Sequence, residues 1–94
     1  MTQQKTRQKT QEEKEFNARI SKRMKVIRET LGLTLEDLGK ILNISFQQVG
    51  KYELGKSDIS FYKLHLFLDY CREHKGRSYT LDEFVSSKEF NIKI

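Results

Sequence analysis

Gln47, Gln48 and Lys51 are the side chains of this 94-residue chain best suited to selective chemistry. Each carries a long arm ending in hydrogen-bonding nitrogen: amides that donate and accept together, and an ammonium that only donates. Nothing nearby supplies a nucleophile or a metal ligand set. His65 and His74 stand nine residues apart, without the Glu-flanked or Cys-paired spacing of zinc sites, and Cys71 is the only cysteine. No glycine-rich phosphate loop and no nucleophile motif is present, so an enzyme, a metal site and a cofactor are not expected. The chemistry left is recognition by hydrogen bonding and charge. Long amide and ammonium groups on a helix held away from the body by a partner helix suit a DNA major groove.

Two short helices joined by a tight turn must do that holding. Thr34 precedes Asp37 by three residues, and Ser45 precedes Gln48 by three. The second pair is a full capping box and the first a near one. Asn43 sits where the chain must reverse, and asparagine tolerates positive φ. Leu38, Ile41 and Leu42 share one side of the first helix. Val49 and Tyr52 share one side of the second, with Ile44 in the corner. Gln47, Gln48 and Lys51 are then left on the outer face.

Over roughly residues 28–71 the chain resembles the phage-repressor and Cro-type helix-turn-helix family. The matching features are Leu31-Gly32-Leu33-Thr34, a small residue at Gly39, Ile44-Ser45 opening the second helix, Val49 inside it, and Tyr52-Glu53-Leu54-Gly55-Lys56 closing it. The resemblance implies an all-α, compact five-helix, lambda-repressor-like domain with its helix-turn-helix at about 34–54, binding double-stranded DNA. Gln47 matches the position that most often meets base edges, and its amide can pair with adenine N6 and N7. Lys51, one turn on, suits guanine or a phosphate. Phe46 stands where the family is often polar and suits a thymine methyl or packing under the helix start. Gln48 is placed either for DNA or for capping Ser45. Lys56 and Ser57 in the following loop, and Thr34 at the first helix start, are placed for phosphate. Arg28 and Glu53 match positions that pair the first helix with the end of the recognition helix. There are two departures. Leu35 stands where the family often has Gln, and Gly50 interrupts the recognition helix at a cost of about 1 kcal/mol against alanine. The chain itself has no evident need for Gly50, which suits a close approach to DNA or to a partner.

The remaining organisation follows from spacing and charge. Phe16, Ile20, Met24, Ile27 and Leu31 mark an amphipathic first helix ended by Gly32. Ser60 caps a fourth helix to about Glu73, with Leu64, Phe67, Leu68 and Cys71 inward. Thr80 to Glu83 is a further capping box, opening a short fifth helix to about Lys88 with Leu81, Phe84 and Val85 buried. Three segments result: a flexible basic leader over 1–14, the helix-turn-helix domain over 15–88, and a tail over 89–94 whose alternation predicts a strand or packing across a partner. Residues 1–30 carry nine basic and four acidic side chains and residues 31–94 nine of each, so the whole charge of +5 belongs to the leader and first helix. Lys22, Arg23 and Lys25 are thereby candidates for phosphate contacts. No apolar run of about 18 residues and no signal peptide is present, and one cysteine fits a reducing cytoplasm.

A single recognition helix reads few base pairs, so a homodimer is expected. Its interface is expected where apolar side chains are left over: Tyr79, Phe84, Val85, Phe90, Ile92 and Ile94. With no sensor domain appended, repression by operator occupancy is the expected mode. The alternative is a protein-binding module, such as an antitoxin-like component, that engages a second protein.

Overall fold

The computed structural model describes residues 9–93, which form five helices: α1 (Gln11–Thr30), α2 (Leu35–Leu42), α3 (Phe46–Glu53), α4 (Phe61–Lys75) and α5 (Leu81–Val85). No strand occurs among the described residues. The leader's first eight residues, and Ile94, lie outside them. Each helix begins at a hydroxyl: Thr10, Thr34, Ser45, Ser60 and Thr80 are extended and accept the N–H three residues on. Thr10 is the cap the apolar spacing does not reveal. Its hydroxyl accepts from Glu13 N–H at 3.1 Å and its own N–H donates to the Glu13 carboxylate at 2.8 Å. Residues 11–14, read from sequence as leader, are therefore the first turn of α1.

The two motif caps exchange roles relative to expectation. Thr34 and Asp37 make both bonds of a capping box, at 2.9 Å each. Ser45 makes one, accepting Gln48 N–H at 3.1 Å, and the Gln48 amide does not reach back. A carboxylate is the stronger acceptor for the returning bond.

The core gathers one face of every helix. Ile20, Met24 and Ile27 of α1 meet Leu38 and Leu42 of α2, Val49 and Tyr52 of α3, Leu64, Phe67 and Cys71 of α4, with Tyr79 and Phe84 closing it. Phe67 and Phe84 pack edge to face with ring centroids 6.4 Å apart, a favoured aromatic geometry. α2 lies against α3 and α4, and α1 against α3 and α5. Burial also lifts the Cys71 thiol pKa to about 11.

α5 is shorter than its capping box suggests, because α1 takes hold of its end. Arg19 donates to Val85 O at 3.1 and 3.2 Å. Arg23 donates to Phe84 O at 2.8 Å, Ser86 O at 2.6 Å and Lys88 O at 2.8 Å. The chain wraps this guanidinium rather than continuing as helix, and Leu81, expected inward, is left 37% exposed.

The tail packs on this chain's own core, over residues expected to face a partner. Phe90 stacks on Tyr79 at 5.4 Å, meets Phe84 edge-on at 5.6 Å and lies under Arg23 at 4.8 Å. The Tyr79 hydroxyl accepts Lys93 N–H at 2.8 Å. Tyr79 and Phe84 are thus buried members of this chain's own core, packed against its own tail. Phe90 and Ile92 are half-buried against that core, and no strand forms there.

Candidate nucleic-acid interface

The turn between α2 and α3 allows no side chain at Gly39. A Cβ there would stand 2.7 Å from Ile44 O and 3.4 Å from Phe46 N, so the glycine sets how closely α3 follows α2. Asn43 makes the reversal at φ 60°, ψ 47°, as expected of an asparagine in the left-handed region. From α4, Lys63 Nζ donates to Leu42 O at 2.7 Å and satisfies a carbonyl at the α2 C-terminus. Sequence spacing gives no sign of that bond.

At its other end α3 is tied to α1. Arg28 Nε and Nη2 donate to the two Glu53 oxygens at 2.7 and 3.1 Å, and Nη1 donates to Leu33 O at 2.7 Å. The two side chains are only 12% and 6% exposed. The bidentate fork fixes the direction of α3 relative to α1. The Glu53 hydrogen bonds raise the Arg28 pKa above its ordinary value, so the guanidinium stays charged.

Held at both ends, α3 turns Val49 and Tyr52 inward and leaves Phe46, Gln47 and Lys51 exposed, with Gln48 at the margin. Among the described residues, no side chain bonds the Gln47 or Gln48 amide or the Lys51 ammonium. After α3 the chain closes tightly through Gly55 at φ 76°. Lys51 O accepts Lys56 N–H at 2.8 Å and Ser57 N–H at 3.3 Å. Those two backbone donors are occupied, so at Lys56 and Ser57 the groups left for phosphate are the side chains. Lys9 pairs with Asp58 in the same loop, fastening it to the start of α1. At the α2 start, the Thr34 hydroxyl and N–H both serve the cap. Glu36 and Asp37 in the first turn lower the attraction for phosphate there.

Motif residues within 24–74 match the sequence pattern of the helix-turn-helix family, Cro/C1 type, over more than half of the chain. The chain belongs to the Cro/C1-type helix-turn-helix family. No curated protein and no solved structure matches it. Membership makes this a DNA-binding domain of a transcription regulator, on a lambda-repressor-like all-α fold.

The family motif brings together most of the residues singled out from sequence. Phe46, Gln47 and Lys51 share the outer face of α3, Gln48 borders it, and Lys56 and Ser57 follow within one loop. Arg23 is different. It was a candidate for phosphate, but its donors are taken by carbonyls of α5 and the tail. Lys22 and Lys25 stay exposed on α1. Among the described residues no helix is long and apolar enough to cross a membrane.

Proposed function

We propose that this chain is a sequence-specific repressor that binds duplex DNA as a homodimer and acts by occupying its operator. The observation that carries the reading is the outer face of α3: two amides and an ammonium, unengaged by protein, on a helix braced by Gly39 at one end and the Arg28–Glu53 fork at the other. Gln47 is the base reader, pairing with adenine. Lys51 takes guanine or an adjacent phosphate, and Lys56 and Ser57 hold the backbone. Two-fold pairing would place two such helices about 34 Å apart, in successive major grooves on one face of the duplex.

With Tyr79 and Phe84 buried, the dimer face is assigned to Val85 together with side chains that remain outside. Phe16, Phe61 and Val85 border one shallow cleft, and Phe61 and Leu81 border the next. Phe61 is 71% exposed, an unusual state for a phenylalanine beside other apolar groups. Repression by occupancy needs only that this body cover a promoter.

One observation favours a second reading, engagement of another protein. Ala18, Val26, Phe90 and Ile92 line a groove of about 550 Å³ between α1 and the tail, rimmed by Glu15, Arg19, Lys22 and Arg23. Selection from a random duplex pool separates the two. Enrichment of a palindromic site whose binding weakens steeply with salt supports the repressor. Failure to enrich any sequence, with a second polypeptide copurifying, supports the protein-binding module.

A further inference from the structure

We propose that Gly50, with Phe46 and Leu54 on either side, forms an apolar notch on α3 that receives the C5-methyl group of a thymine. The inference rests on the reading of α3 as a reader of duplex DNA and names what one position on it reads.

Glycine is among the least favourable residues inside a helix, and α3 has only eight residues over which to offset it. The chain's other glycines have structural reasons. Gly32, Gly55 and Gly76 stand at positive φ, and Gly39 has a backbone oxygen where its Cβ would be. Gly50 has neither. Its φ is not positive, and a Cβ built there meets nothing within 4 Å. The space left by the missing side chain is therefore not used by any described part of the chain.

What surrounds that space points to its occupant. Residues four apart on a helix are neighbours, which puts Phe46, Gly50 and Leu54 in one row. Leu54 N–H donates to Gly50 O at 3.0 Å, so the row is continuous helical backbone to its end. Phe46 is 45% exposed and Leu54 70%. The adjacent row holds Gln47 and Lys51. The outer face thus sets an amide and an ammonium beside an apolar strip with a gap at its centre. A T·A pair shows the complementary pattern in the major groove: a methyl group next to O4, N6 and N7. A purely apolar protein surface would leave Gln47 and Lys51 buried without partners.

The test uses the full chain and a duplex it selects from a random pool. Affinity is measured for wild type and Gly50→Ala, on that duplex and on copies with single thymines replaced by deoxyuridine. Gly50→Ala is expected to melt about 4–8 °C higher, because alanine favours helix and nothing obstructs its methyl group. It is expected to bind the thymine duplex about tenfold more weakly. At one position per half-site deoxyuridine should remove most of that difference, since the lost DNA methyl makes room for the added Cβ. Unchanged affinity of Gly50→Ala overturns the proposal. So does equal weakening on every thymine and deoxyuridine duplex, which would put the Cβ against the DNA backbone. A lower melting temperature would make Gly50 structural and overturn it as well. If wild type selects no duplex, the reading of α3 itself falls, and the notch with it.

Discussion

Arg28 and Glu53 are the residues whose chemistry is most exposed to test. Removing one charge from a buried pair leaves the other uncompensated, at a cost of about 3 kcal/mol or more. Glu53→Gln should therefore lower the melting temperature far beyond a surface control such as Glu89→Gln. A shift equal to the control's would mean the fork adds nothing. Asp37 gives a pH test. The Thr34 backbone N–H, together with the hydroxyl, holds its carboxyl below the ordinary aspartate range. A carboxyl whose pKa is lower when folded contributes stability above its unfolded value, and loses it as pH falls through the folded one. The Thr34 amide resonance should titrate with a midpoint below that of an unstructured aspartate, and Asp37→Asn should abolish the transition. Cys71, buried and with its pKa raised to about 11, should resist alkylation in the native protein near neutral pH and react only on unfolding. Rapid native labelling would contradict the packing of α4. At the residue scale the outward face of α3 was legible in the sequence, and the bonds of Arg23 were not. Side-chain type and spacing reveal which groups face outward on a helix. They do not reveal that a guanidinium will collect four backbone carbonyls some sixty residues away, because every residue has a carbonyl and only the fold decides where it lies.

At the scale of elements, α5 and the tail behave as one unit hung on α1. Tyr79, Phe84 and Phe90 form its aromatic part, and Arg19 and Arg23 hold its backbone. Deleting residues 89–94 should accordingly destabilise the whole domain, uncovering Tyr79 and Phe84, rather than only weaken self-association. Thermal unfolding decides this, and an unchanged midpoint would show the tail to be an appendage. The start of α1 was hidden in sequence because Thr10 caps polar residues, ahead of any apolar spacing that marks a helix. α2, α3 and the turn between them were legible because cap, glycine and apolar spacing agree there. The end of α5 was not, because its stop signal lies on another helix.

For the molecule as a whole, the basic side chains of α1 divide into two kinds. Arg19, Arg23 and Arg28 hold the fold, while Lys22 and Lys25, like Lys51 on α3 and Lys56 after it, remain exposed. Lys56→Ala should weaken binding to all duplexes alike and reduce the salt slope by about one, whereas Arg23→Met should lower stability first. If the proposed dimer forms through this face, Phe61→Glu should leave the helical spectrum intact and sediment as a monomer where wild type sediments as a dimer. A Phe61→Glu dimer would move the interface away from this face. Base reading by the outer face of α3 is decided by selecting duplexes from one random pool with wild type and with Gln47→Ala. Wild type is expected to enrich a palindrome, and Gln47→Ala to bind it about 1–3 kcal/mol more weakly, with preference relaxed at one base pair per half-site. Identical enriched sites with identical affinities would contradict it.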